Sequence, residues 1–92
     1  MKRCLKVTIK GVFQKDFLPE VIKKIALDCS VEGTAQYEDT ESVKIIACGS
    51  VEQTNEFIDS LHTLSEKQSF QAIEVEPFLN IKNYRNTFRI LS

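Results

Sequence analysis

The segment that most constrains this chain runs from Lys10 to Ala26, K-G-V-F-Q-K-D-F-L-P-E-V-I-K-K-I-A, where a period-two pattern stops at a glycine and a helical pattern begins. A strand must therefore pass into a helix through a short polar loop. Gly11 permits positive φ or a close backbone approach, and Asp16 is suited to cap the helix. Pro19 falls in the first helical turn, where its missing N–H costs little. Free N–H groups converge at such a junction, so Gln14, Lys15, Asp16, Phe17 and Leu18 form the natural loop for holding a small anion.

The periodicity on either side of the junction supplies the remaining elements. Leu5, Val7 and Ile9 alternate with Lys6, Thr8 and Lys10, as in a strand with one buried face. From Phe17 to Cys29, Leu18, Val21, Ile22, Ile25, Ala26 and Cys29 recur at helical spacing and make an amphipathic helix of about three turns. Val31, Gly33, Ala35 and Tyr37 alternate again, and Val43 to Cys48 resumes after E-D-T-E-S, so two strands pair as a hairpin. Ser50 caps a second helix with Val51, Phe57, Ile58, Leu61 and Leu64 on its apolar side. A loop around Ser65 to Ser69 leads to a strand over Phe70–Val75, with Ile73 and Val75 inward and Pro77 ending it or confining it to an edge. Thr87 to Leu91 closes the chain as a short strand. The order is that of an α+β domain of the ferredoxin-like split βαβ class, βαββαβ plus a short C-terminal strand, with two helices on one face of an antiparallel sheet.

With no repeat or linker, residues 1–92 read as one domain. Twelve Lys and Arg against 13 Asp and Glu leave a net charge of -1, which gives no global field for nucleic acid or an anionic membrane. No stretch is apolar enough to span a bilayer or serve as a leader, and a cytoplasmic protein is expected. Cys4, Cys29 and Cys48 are odd in number and lack a C-x-x-C pair, which suits reduced core thiols. Neither a metal nor a cofactor is called for.

In spacing, the chain resembles the acylphosphatase family over nearly its whole length. Gly11 and Gln14 match the family's G-x-V-Q-G-V-G-F-R loop, and Ala26 follows in the helix without a gap. Gly33 matches the glycine of G-x-V-x-N, Val43 the strand after the hairpin, and Gly49 with Phe57, Ile58 and Leu61 the second helix. Ala72, Ile73 and Val75 match the fourth strand, and Y-R-N-T-F-R-I-L the closing Y-x-x-F-x-I. The resemblance implies hydrolysis of small acyl phosphates without a metal: loop N–H groups cradle the phosphate, an arginine pairs with it, and an asparagine positions the attacking water. Those two positions are Pro19 and Tyr37 in this sequence, Lys15 and Phe17 replace loop glycines, and Asp16 sets a carboxylate where the anion would rest. Losing one preorganised donor costs about 3–4 kcal/mol of transition-state stabilisation, so several losses remove most of the rate enhancement. What the resemblance then implies is a binding or interaction module, monomeric or weakly dimeric through an edge strand, for a small anion or a protein. The alternative is a divergent acylphosphatase in which Lys15 or Lys10 replaces the arginine and Gln36 or Gln14 holds the water.

Other groups carry weaker signals. His62 stands alone on the second helix without an orienting partner. Glu38, Asp39 and Glu41 lie at a hairpin tip with no calcium-loop spacing and read as a solvated turn. The third strand, V-K-I-I-A-C, lacks the aromatics an RNA-reading sheet needs. Lys82, Arg85 and Arg89, interleaved with Tyr84 and Phe88, offer a local basic patch for an acidic partner, weighed against an ordinary solvated face.

Overall fold

The first alternation becomes β1 (Lys2–Lys10), with Val7 and Ile9 fully buried on the face that meets the helices. In the computed structural model, which describes residues 2–14, 16–68, 70–79, 84–85 and 87–91, a wide-turned π-helical segment, Phe17–Ile22, runs directly into α1 (Lys23–Asp28). Next come β2 (Glu32–Asp39), β3 (Ser42–Ser50), α2 (Val51–Gln68), β4 (Ala72–Pro77) and β5 (Phe88–Leu91). Among the described residues these strands make one open sheet in the order β4-β1-β3-β2-β5. Phe17, Leu18, Ile22 and Ala26 on one side and Phe57 and Leu61 on the other bury against Val7, Ile9, Val43, Ile45, Ala47 and Phe88. The expected ferredoxin-like α+β arrangement is thus the observed one.

One pair departs from an all-antiparallel sheet. β5 lies parallel to β2, with Gly33 opposite Phe88 and Gln36 opposite Leu91. Phe78, just after β4 at one edge, and Tyr84, ahead of β5, pack on the back of the sheet over Cys4, Ile46 and Cys48, and the chain passes to the other edge. It reaches the far edge at the end where β2 begins, so β5 must run with β2. The Gly33 N–H donates to the Thr87 carbonyl at 2.9 Å and locks that arrival. Gly33 itself has a φ of 144°, and a Cβ there would sit 1.8 Å from the Ile46 carbonyl oxygen, so only glycine fits.

Helix ends follow local chemistry. Ser50 and Gln53 form a reciprocal capping box: the Gln53 N–H donates to Ser50 Oγ at 3.0 Å and the Ser50 N–H to Gln53 Oε1 at 2.9 Å. Asp16 occupies the expected cap position of the first helix, but its side chain makes no capping hydrogen bond. The loop expected over Ser65–Ser69 is instead helix as far as Gln68: E-K-Q are good helix formers, and Lys67 favours the negative end of the helix dipole. Phe70 accordingly precedes β4 rather than opening it. Val51 and Val75, expected inward, are exposed because one begins α2 and the other lies on edge strand β4, beyond the cover of the helices.

The cysteine expectation is also corrected. Cys4 and Cys48 are opposite one another in the β1–β3 register, 4.1 Å apart at Cα, and are joined by a disulfide. Only Cys29 is a free thiol; burial raises its pKa, a Ser60 hydrogen bond opposes this, and Glu56 and Asp28 add to it. An odd cysteine count hides such a pair because pairing depends on strand register.

Two stability outcomes follow. Gly33→Ala forces the Ile46 carbonyl aside and is expected to lower the unfolding free energy by about 3 kcal/mol in urea melts. Replacing Cys4 and Cys48 together by alanine opens a loop whose ends are 44 residues apart. Non-reducing melts should then fall by about 3–4 kcal/mol, and a thiol reductant should destabilise the parent chain but not the variant.

Candidate functional site

The β1-to-helix loop is pinned at both ends by backbone bonds. The Gly11 N–H donates to the Glu41 carbonyl at 2.9 Å, and the Phe17 N–H to the Gln14 carbonyl at 3.0 Å. The Gln71 N–H donates to the Lys10 carbonyl at 2.8 Å, which brings Phe70 alongside. Three rings then pack together: Phe13 stacks on Phe17 with centroids 4.7 Å apart, and Phe70 lies 5.7 Å from each, edge-on to Phe17. Tyr37, from β2, adds a fourth ring 6.4 Å from Phe13, and its hydroxyl donates to the Gln14 carbonyl at 3.2 Å. Edge-to-face and offset contacts of this kind stabilise by about 0.5–1.5 kcal/mol each beyond the area they bury.

Beside this cluster lies a cavity of about 310 Å³ lined by Gln14, Asp16, Phe17 and Val21 with Lys67 and Gln68 from the end of α2. Asp16 makes no ion pair with any described residue, and neither does Lys67. The Asp16 charge is nevertheless felt: the Tyr37 phenol is pushed above its ordinary pKa, chiefly by burial and further by the Asp16 carboxylate.

The fold gathers some of the sequence-derived candidates and disperses others. Gln14, Asp16 and Phe17 meet at the cavity, and Tyr37 stands against Gln14. Leu18 is buried in the core and is not part of the cavity lining. Pro19 is exposed in the wide first turn, and Lys15 lies outside the described residues. Lys10 pairs with Glu74 at 3.9 Å on the back of the sheet, so it does not reach the loop. Gln36 is on the back as well, lining a hollow with Thr34, Ile46 and Tyr84. Side chains alternate along β2, so Gln36 cannot share a face with Tyr37. Lys67 and Gln68 escaped the sequence analysis because their stretch read as loop; Phe13 and Phe70 escaped because isolated aromatics beside turns carry no period.

The remaining candidates resolve into structure. Asp39 accepts the Glu41 N–H at 2.8 Å within the hairpin turn, and that bond first, then Ser42, holds its carboxyl below the usual range. No cluster of metal-ligating side chains occurs among the described residues. Phe88 is core and Tyr84 packs on the back of the sheet, so the basic patch is not interleaved with exposed rings; Lys82 lies outside the described residues. His62 lines a separate groove of about 560 Å³ with Arg3, Leu5 and Val75. Arg3 is committed there to α2, donating from Nε to Thr54 Oγ1 at 2.6 Å, and supplies no cation to the loop. No helix among the described residues is long and apolar enough to cross a membrane.

The fold and the loop geometry together define an acylphosphatase-like domain. The acylphosphatase family model matches residues 5–90, and the chain belongs to that family. It is similar to the acylphosphatase from Coxiella burnetii, at 22% identity and a TM-score of 0.78 over 98% of this chain and 93% of that one. The acylphosphatase from Bacillus subtilis superposes with a TM-score of 0.83 at 17% identity, each chain covered completely. Full-length HypF in its phosphate- and nucleotide-bound form matches all of this chain with 12% of its own, at 19% identity and a TM-score of 0.82. At these identities the likeness to the solved structures is one of fold. A sequence comparison with curated proteins yields no match.

Tyr37 reports on the site directly. In a Tyr84→Phe background its phenolate is expected to form above the ordinary tyrosine pKa of about 10. Because the folded pKa is raised, the protonated Tyr37 stabilises the fold fully below the unfolded pKa, and that contribution is lost as pH rises through the folded value. Asp16→Asn should lower the absorbance-detected pKa part of the way, since burial is the larger cause.

Proposed function

We propose that this domain binds a small ligand carrying an anionic group at its β1–α1 loop and does not hydrolyse acyl phosphates. The observation that carries this reading is the Tyr37 hydroxyl donating to the Gln14 carbonyl, with its ring against Phe13. Where the family resemblance implies an amide that orients water, this chain has a phenol engaged with the loop backbone. Pro19 brings neither a guanidinium nor an N–H to the neighbouring position, and Phe17 fills with a buried ring the space that a glycine would leave beside the cradle. Asp16 opposes a dianion by charge. These features support a pseudoenzyme that has kept the loop as a binding surface.

The proposed compartment is the cytoplasm. The Cys4–Cys48 disulfide weighs against that compartment, since reducing surroundings keep most such pairs open.

Hydrolysis of a small aryl acyl phosphate tests the proposal. The natural chain is expected to match buffer, and the double change Pro19→Arg, Tyr37→Asn to gain measurable rate. Each restored interaction is worth about 3 kcal/mol at best, roughly two orders of magnitude. Acceleration of several orders by the natural chain would overturn the reading in favour of a divergent enzyme using Lys15.

A further inference from the structure

The cavity beside the loop has a charge pattern unlike a phosphate site. Asp16 supplies a carboxylate from the helix entrance and Lys67 an ammonium from the last turn of α2, on one hollow of about 310 Å³. Among the described residues neither is neutralised by an ion pair, with each other or with any other side chain. Gln14 and Gln68 add two amides, each able to donate and accept, while half-buried Val21, backed by the buried Phe17 ring, gives a small apolar strip in a mainly polar lining. The volume lies at the small end of ligand pockets.

We infer that this cavity binds a small zwitterion, of the α-amino acid class with an apolar side chain: its carboxylate toward Lys67, its ammonium toward Asp16, its side chain against Phe17 and Val21. The inference rests on the loop being a binding rather than a hydrolytic site, and it sharpens the ligand from an anion to a molecule carrying both charges. A free phosphate satisfies Lys67 but is repelled by Asp16; a simple amine satisfies Asp16 but is repelled by Lys67. Only a ligand with both charges leaves neither side chain opposed. The two groups come from elements far apart in sequence, so occupancy would also tie the end of α2 to the helix entrance. The Tyr37–Gln14 contact fixes the backbone from which the Gln14 amide is presented.

Amide chemical-shift titration of the full chain separates the outcomes. L-Leucine is expected to shift Gln14, Asp16, Val21 and Gln68 saturably. Isovalerate, isoamylamine and inorganic phosphate, each with charge of one sign, should bind about tenfold more weakly or worse. Asp16→Asn and Lys67→Gln should each cost about tenfold in L-leucine affinity while leaving the β1–β3 amides unshifted, which shows the variants are folded. The inference fails if phosphate shifts these amides as strongly as L-leucine, or if L-leucine shifts nothing because the two charges serve only solubility. Acyl phosphate hydrolysis measured on the same sample is independent of this result. Turnover there would overturn the binding-module reading whatever L-leucine does, whereas silence in both assays would overturn the zwitterion alone.

Discussion

The nine-residue pairing of β1 with β3, from Lys2 opposite Ser50 to Lys10 opposite Ser42, is the constraint on which the other features depend. It puts Val7 and Ile9 on the same face as Val43, Ile45 and Ala47, so one continuous apolar surface meets both helices. It also sets Cys4 against Cys48 on the back, where Phe78 and Tyr84 pack over them. Because Lys10 ends opposite Ser42, Gly11 arrives at the β2–β3 turn and can donate to Glu41. The loop is therefore hung from the centre of the sheet. A slip of one residue would turn every one of these side chains to the wrong face.

Once the loop is held there, what fills it decides the chemistry. A phosphate cradle needs converging N–H groups, an unopposed positive charge and room for the anion to approach the backbone. This loop has packed rings in that neighbourhood, a phenol bonded to a loop carbonyl and a carboxylate at the entrance. Burying a phenylalanine is worth about 1.5–3 kcal/mol, so Phe17, almost wholly buried, contributes to the core from a place where the resemblance puts a flexible glycine.

The fold was legible because its signals are periodic. Leu5, Val7 and Ile9, and Val43 to Cys48, repeat at the spacing of the strands they form, and the stripe from Leu18 to Cys29 marks a helix although its first part, to Ile22, is π rather than α; order then selects the topology. The parallel β2–β5 pair was not legible, since its direction is set by a chain crossing that leaves no pattern in β5 itself. Nor was the disulfide, which is a property of register. At the site, Gln14, Asp16 and Tyr37 stood out by position within a motif. Lys67 and Gln68 did not, because the pattern of α2 fades where its last turn leaves the core and ordinary helix formers continue it.

Family membership and family chemistry are carried by different residues here, and physically they separate. The core depends on apolar volume at Val7, Ile9, Ile22, Ile45, Phe57 and Leu61, all of them fully buried. The loop depends on charge and donor geometry at positions that add little to that core. A site preorganised for an anion is costly to hold, with polar groups unsatisfied until the ligand arrives; replacing it with rings relieves that cost. Asp16 and Lys67 run against this trend, since neither charge is matched by an ion pair to any described side chain although both border one hollow. Stability alone gives no account of two opposite charges bordering one hollow without an ion pair, and a ligand carrying both charges would supply one.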